Sequence, residues 1–337
     1  MPTSLPATMT VMEITEPGGP EVLKPAQQPL PAPGTGETLI KVHAAGVNRP
    51  DLLQRAGSYP PPPGASPLPG LEIAGEIAAL GNDVTGWAIG DKVVALTNGG
   101  GYAEYATVPA GQILPLPEGY TLAEGAALPE TLFTVQQTLI DRAGLRKGQT
   151  VLIHGGAGGI GGAAIALSRL KGAIPFVTVS TADKADYARS IGAEGAINYR
   201  DEDFVERIKD MTDGKGPDVI LDIIGGEYAG RNLMALAEDG TIIQFAALTG
   251  KSDNVHPGLL VRKRATWFGS TLRAQPDKVK AAIADHLRAE VWPALEQGKL
   301  PKPEIRSFPL TEAAAAHQAM DAPGHAGKIV LLVADGT

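Results

Sequence analysis

The sequence predicts an α/β protein in which an irregular, mostly antiparallel β domain is interrupted by a doubly wound parallel sheet. Three observations carry this expectation. Residues 150–170 pass from an apolar β-type run through a glycine-rich turn into helix-forming residues. Between about 129 and 269, six β-type segments alternate with amphipathic helical ones. Before that stretch the chain is rich in Pro and Gly with short β-type runs, and after it a lone apolar run, Gly327–Val333, needs a sheet to join. The 337 residues suffice for roughly two domains, each with its own core.

In chain order, Thr38–Ala44, Glu72–Ala79, Lys92–Leu96 and Tyr102–Val108 are the clearest early strands. They are separated by turn signals such as Pro17-Gly18-Gly19-Pro20, Gly90-Asp91 and Asn98-Gly99. The parallel-sheet strands fall at Val151–His154, Phe176–Ser180, Ala196–Tyr199, Val219–Ile224, Thr241–Ala246 and Thr266–Phe268. Helices are expected near Ala163–Leu170, Lys184–Ile191, Phe204–Met211, Gly230–Ala237 and over Asp277–Gln297. The N-terminal domain is the natural host for the late strand, which gives a discontinuous domain, 1–128 and 270–337, around an inserted one, 129–269.

The turn Gly156-Ala157-Gly158-Gly159-Ile160-Gly161 follows a strand and opens a helix, the context a dinucleotide fingerprint requires. Gly156 is expected to permit the tight turn, Gly158 to let the backbone approach a pyrophosphate, and Gly161 to let helix and strand pack closely. The N–H groups and dipole of the helix start then hold the phosphates. About 20 residues on, NAD enzymes place an acidic residue for the ribose 2′-hydroxyl. Here Ser180 occupies that place and Lys184 follows in the next turn. A hydroxyl and a cation suit a 2′-phosphate, so NADPH is the favoured cofactor, with NADH the alternative that Asp183 keeps open. Tyr199 can close over that phosphate or the adenine.

In the first domain, Asn48 follows a strand end and can both donate and accept hydrogen bonds, to a nicotinamide or a substrate carbonyl. Tyr59 can offer its phenol to a reducible oxygen. A turn-forming Asn and a packing Tyr are the simpler readings of composition alone.

Other chemistries are excluded. There are no cysteines, hence no disulfides, thiolate metal sites or cysteine nucleophiles. None of the 7 tyrosines has a lysine four residues later, so the Tyr-x-x-x-Lys pair of short-chain dehydrogenases is missing. The 6 histidines show no i, i+3 or i+4 pairing, which predicts no metal site and makes His154 a packed residue. A net charge of −8 argues against nucleic acid, and the short Arg262-Lys263-Arg264 cluster reads as a solvated turn. The N-terminal ten residues lack the pattern of a secretory leader, and no run approaches the roughly 18 apolar residues of a membrane span. A cytoplasmic location is expected.

The β domain with an inserted dinucleotide domain resembles the medium-chain dehydrogenase/reductase family over nearly the whole chain. Gly46-Val47-Asn48-Arg49-Pro50-Asp51, Gly70-Leu71-Glu72-Ile73-Ala74-Gly75, Gly90-Asp91-Lys92-Val93 and Pro129–Thr134 look like its zinc-free quinone oxidoreductases of the zeta-crystallin type. Residues 48–59 and Gly269-Ser270-Thr271-Leu272-Arg273 are similar to the tumour-suppressor-inducible subgroup. The resemblance implies a GroES-like β domain plus a Rossmann domain. The family's zinc-using alcohol dehydrogenases have Cys where this chain has Asn48 and Gly-His-Glu where it has Gly70-Leu71-Glu72, so two ligand positions hold non-ligands. By resemblance, Asn48 and Tyr59 line the substrate and nicotinamide pocket in the cleft between domains. Thr134 hydrogen-bonds near the nicotinamide, Phe245 and Ala247 wall the cofactor, and Leu272 and Arg273 reach it from the returning segment.

The function this implies is NADPH-dependent, metal-free reduction of a quinone. Reduction of activated C=C bonds in enones or enoyl thioesters is the alternative, and a non-catalytic NADPH-binding protein the further one. A homodimer is expected, with the sixth strand of the parallel sheet pairing with its symmetry mate.

Overall fold

The computed structural model describes residues 5–252, 254–322 and 324–333. Residues 1–4, part of the segment read above for a leader, lie outside the described residues. The chain divides into two compact units, one of Met1–Phe133, Arg273–Gln297 and Lys302–Thr337, the other of Thr134–Leu272 with Gly298–Pro301.

In the first unit, β1 (Thr8–Ile14) and β2 (Leu23–Pro29) form an antiparallel pair. The main sheet is built on β3 (Glu37–Val47), which pairs antiparallel with β4 (Glu72–Leu80) and β6 (Tyr105–Pro109). Beyond β4 come β5 (Lys92–Leu96) and β7 (Ile113–Pro115). A short helix, α1 (Arg49–Arg55), leaves the end of β3 directly, and this places Asn48 at the junction. The strand expected from Tyr102 starts only at Tyr105. Ala103 instead bridges Val11 on β1, and the Tyr102 phenol turns into the core towards polar partners.

The helix α2 (Pro129–Val135) runs on as a π-helical segment to Arg142 and leads into the second unit. There β8 (Thr150–His154), β9 (Ile174–Val179), β10 (Gly195–Asn198), β11 (Val219–Asp222), β12 (Thr241–Gln244) and β13 (Thr266–Gly269) form one sheet. All pairs are parallel, in the order β10-β9-β8-β11-β12-β13. Crossovers are made by α3 (Gly159–Leu170), α4 (Ala182–Ser190), α5 (Phe204–Asp210) and α6 (Tyr228–Ala235). The β-branched and aliphatic strands are buried, with Leu152, Ile197, Ile220 and Ile242 in one core with Phe204 and Leu233. Successive strands proceed in opposite directions from β8, so the carboxyl ends of β8 and β11 frame the switch point at which such sheets bind ligands.

On its return the chain forms α7 (Asp277–His286), which continues through a π-helical turn into the helical segment Trp292–Glu296. It then adds β14 (Ile305–Pro309), α8 (Ala313–Asp321) and β15 (Lys328–Leu332). The late strand joins the first sheet: Ile329–Leu332 pair antiparallel with Val47–Ala44 of β3. Ile329 and Leu331 thereby enter the core of Ile40, Val42, Ile73 and Val93. Burying each such side chain contributes roughly 1.5–3 kcal/mol.

The basic cluster is a turn with partners. Arg264, at φ +51°, bonds Asp239 and Glu238, and the Lys263 ammonium caps the carbonyls of Met234 and Leu236.

Candidate functional site

The glycine turn follows β8. Gly155 takes φ +80°, the left-handed region that favours glycine. The tight-turn role expected of Gly156 therefore belongs to Gly155. Gly156 is constrained differently: a Cβ there would stand 2.3 Å from the Val177 Cβ on β9. A Cβ on Gly161 would meet the Gly155 carbonyl oxygen at 2.4 Å, so close packing of α3 on the loop does demand glycine. At Gly158 the nearest atom to such a Cβ is 3.7 Å away, and the space before the loop is open. Gly158 is the N-cap of α3 and supplies no side chain over the first helical turn. The N–H groups of Gly159, Ile160 and Gly161 thus stand at a helix start where no carbonyl of the preceding turn accepts them. With buried Ala157 behind it, the loop is an open backbone cradle that fits a pyrophosphate.

Beneath the loop, buried His154 bonds Thr178 Oγ1 at 3.0 Å and Asn232 Oδ1 at 2.8 Å. Asn232 donates to Asp222 Oδ2 at 2.9 Å, and Asp222 Oδ1 accepts from the N–H groups of Ile224 and Gly225. Burial holds the imidazole below its usual pKa and so neutral. The loops after β8 and β11 are thereby tied to one rigid network.

Ser180 stands at the end of β9, and Thr181 caps α4 by accepting from the Lys184 N–H at 3.3 Å. Tyr199 follows β10, its N–H donating to the Val179 carbonyl at 3.1 Å and its ring 42% exposed. Ser180 thus follows β9, half-buried Lys184 lies in the first turn of α4, and Tyr199 follows β10, the parallel neighbour of β9. Exposed Arg200 beside Tyr199 is a further cation. Phe245 and Ala247 follow β12; the Phe245 N–H bonds the Asp222 carbonyl, and Ala247 packs on Gly225. Leu272, buried, follows β13.

In the first unit Asn48 belongs to a buried polar cluster. Its Nδ2 donates to Glu72 Oε1 at 2.8 Å and its Oδ1 accepts from the Lys328 ammonium at 2.6 Å. Lys328 also pairs directly with Glu72, the two side chains 5% and 0% exposed. The second Glu72 oxygen accepts from the Glu130 N–H at 2.9 Å. One lone pair and one N–H of the Asn48 amide remain for other partners. Asp51 takes the N–H groups of Asn48 and Gly70 at 2.8 and 2.9 Å. Burial pushes its carboxyl up to about 6.

A buried chain runs on from there. The Tyr102 hydroxyl lies 3.5 Å from Asp51 Oδ2 and 3.0 Å from His317 Nε2, and Arg55 donates to His317 Nδ1 at 3.1 Å. Burial, with Arg55 and Arg49 adding to it, pushes the imidazole down to about 3, so His317 is neutral. Tyr59 lies half-buried with the Arg273 guanidinium 5.5 Å from its ring centroid. Arg273 is fixed by two bonds to the Asn98 carbonyl, at 3.0 and 2.8 Å, and by Lys280, whose ammonium holds the Arg273 carbonyl and the Asn98 side chain. Burial pushes Lys280 down to about 8. Thr134, on α2, is buried and its carbonyl accepts from Thr138 Oγ1 at 2.7 Å.

Lys328, Asp51, Glu130, Tyr102 and His317 escape sequence reasoning. The one available signal was Lys328 itself, a charge opening the otherwise apolar run Lys328–Leu332. Among the described residues no three His, Cys, Asp or Glu side chains are grouped to hold a metal, and no helix is long and apolar enough to cross a membrane.

The chain has relatives among known proteins in both sequence and fold. Residues 34–118 match the alcohol dehydrogenase GroES-like domain and residues 159–287 the zinc-binding dehydrogenase family. The chain is 32% identical to the quinone oxidoreductase of Rattus norvegicus over 96% of its length and 98% of that protein's. The structure of Escherichia coli quinone oxidoreductase complexed with NADPH superposes with a TM-score of 0.83 at 28% identity, over 97% of this chain and 100% of that one. The CurK enoyl reductase gives a TM-score of 0.83 at 29% identity, over 98% and 100%. A mycocerosic acid synthase-like polyketide synthase of Mycobacterium tuberculosis is 33% identical over 95% of this chain, which spans only 15% of that protein's length.

Proposed function

The chain belongs to the medium-chain dehydrogenase/reductase family, among its zeta-crystallin-type quinone oxidoreductases, and on that footing we propose that it is an NADPH-dependent, metal-free quinone reductase. The observation that carries this reading is the open cradle of Gly155–Gly161, with Ser180 and Tyr199 following the neighbouring strands β9 and β10 and Lys184 in the first turn of α4. The loop backbone and the start of α3 would hold the pyrophosphate, and Ser180, Lys184 and Tyr199 the 2′-phosphate. Thr134, Phe245, Ala247, Leu272 and Arg273 would border the nicotinamide half. Bound NADPH supplies a hydride. Asn48, with its amide plane fixed by Glu72 and Lys328, would orient the ring or the acceptor, and Tyr59 would hydrogen-bond the developing oxyanion. A quinone is polarised already, so no Lewis acid is required. The donor set favours this: Asn48 and Leu71 stand at two zinc-ligand positions of the alcohol dehydrogenases. The likeness to an enoyl reductase keeps reduction of activated C=C bonds as the second reading. The lack of cysteine accords with a reducing, cytoplasmic setting.

Lys184→Ala is expected to weaken NADPH binding about tenfold, roughly 1.4 kcal/mol, and to leave NADH binding unchanged. Fluorescence titration with both cofactors checks this, and equal losses for the two would remove Lys184 from the phosphate site. We propose also that the enzyme is a homodimer joined through β13, which ends the strand order of its sheet. Sedimentation at micromolar concentration should give twice the chain mass of 34.9 kDa, whereas a monomer would refute the dimer.

A further inference from the structure

A run of buried polar side chains lies behind Asn48. Asp51 and Arg55 come from α1, His317 from α8 and Tyr102 from the segment before β6, and none is more than 7% exposed. Their contacts fix where each proton sits. Arg55 Nη1, which can only donate, stands 3.1 Å from His317 Nδ1, so that nitrogen carries the lone pair. Burial keeps the imidazole neutral, with a single N–H, which is therefore on Nε2. Nε2 lies 3.0 Å from the Tyr102 oxygen and donates to it. The phenol, kept protonated by burial first and by the Asp51 charge next, turns its own hydrogen to Asp51 Oδ2 at 3.5 Å. Every bond points the same way, from Arg55 towards Asp51. Reversal would set an N–H on Nδ1 against the guanidinium. Because the guanidinium never gives up a proton, the run is no proton conduit.

Asp51 receives two further donors, the N–H of Asn48 on Oδ2 and that of Gly70 on Oδ1. The first fixes the backbone of Asn48. The second fixes the residue that leads through Leu71 to Glu72, the partner of the Asn48 amide. Tyr102 is sewn to the same loop, its N–H donating to the Pro69 carbonyl at 3.0 Å. We propose that Tyr102 and His317 are positioning residues of the reductase: their one-way run of hydrogen bonds keeps Asp51 a pure acceptor, and Asp51 holds Asn48 in register with Glu72. The role rests on the reductase reading above, in which Asn48 orients the nicotinamide or the acceptor. Three donors converge on the two Asp51 oxygens, so a proton added there sets donor against donor and loosens the set. Burial first, and the Glu72 charge last, raise the Asp51 carboxyl to about 6, opposed by the Gly70 and Asn48 N–H groups and the Arg273 guanidinium. Arg55 and Arg49 are the cations acting on His317. Removing the Tyr102 donor, which favours the ionised carboxylate, moves the Asp51 midpoint up.

Nitrogen-15 NMR of the cofactor-free protein should find His317 neutral with its proton on Nε2 between about pH 5 and about pH 8, and a proton on Nδ1 overturns the run. Tyr102→Phe keeps the ring and its edge contact with His317 but deletes the hydroxyl. Its kcat/KM for a quinone should be about fivefold below the wild type at about pH 6 and equal to it at about pH 8, the effect of a midpoint moved up by roughly one pH unit. NADPH affinity should be unchanged at both. His317→Gln, whose amide can accept from Arg55 and donate to Tyr102, should keep the wild-type pH profile, while His317→Leu should lose activity on the acid side. A Tyr102→Phe profile identical to the wild type, or a loss of equal size at both pH values, overturns the role, as do His317→Gln and His317→Leu behaving alike. A wild-type enzyme that reduces neither quinones nor enones overturns instead the reading on which the role rests, and the NMR result is independent of it.

Discussion

Lys328→Met is expected to lower the unfolding free energy by about 3–5 kcal/mol, the cost of breaking a buried ion pair by removing one partner. Glu72 has no exposed surface, and the ammonium is its direct ionic partner. Methionine fills the volume but leaves the carboxylate with only the neutral donors Asn48 Nδ2 and the Glu130 N–H. The Asn48 oxygen loses its donor as well. Urea denaturation of the single variant and of the Lys328→Met/Glu72→Gln pair checks this, because neutralising the orphaned charge should restore part of the loss. An unchanged midpoint in Lys328→Met would show that the pair contributes nothing.

Gly158→Ala and Gly161→Ala should separate two roles of one loop. A methyl at 158 meets nothing nearer than 3.7 Å, so the fold should lose no more than about 1 kcal/mol, the scale of an N-cap exchange. The same methyl fills the space in which a pyrophosphate would lie against the backbone. NADPH affinity should drop about 100-fold, roughly 2.8 kcal/mol. At 161 the methyl would lie 2.4 Å from the Gly155 oxygen and 2.6 Å from Gly156 backbone atoms, and backbone must move. That variant should lose both NADPH binding and about 1–3 kcal/mol of stability. Calorimetric titration with NADPH, alongside thermal unfolding, measures both. Unimpaired binding by Gly158→Ala would place the phosphates elsewhere.

The parallel sheet was readable because its signals are local. Each strand is a short apolar run, each helix an amphipathic stretch, and the glycine turn joins one to the other within a dozen residues. The first unit was less legible. β2, Leu-Lys-Pro-Ala-Gln-Gln-Pro, has almost no apolar alternation, and β14 buries so little that no period stands out. Their pairing comes from tertiary context. The site divides in the same way. Gly158, Ser180, Lys184 and Tyr199 sit in strand–loop–helix units that a sequence shows directly. Asn48 was singled out from the end of its strand, but its partners Glu72 and Lys328 lie 24 and 280 residues away. Nothing local announces that a lysine opening one strand will neutralise a glutamate on another. Gly156 shows the finer limit: a glycine pattern marks the loop, yet which glycine takes positive φ is decided by the close approach of Val177 and by the turn at Gly155.

The most direct test of the central claim is steady-state oxidation of NADPH and of NADH by the wild-type protein with ortho- and para-quinones and with enones. NADPH-dependent turnover of quinones, well above that with NADH, is the predicted result. Turnover of enones alone would move the protein to the C=C reductases, and oxidation of neither cofactor by any acceptor would contradict the account.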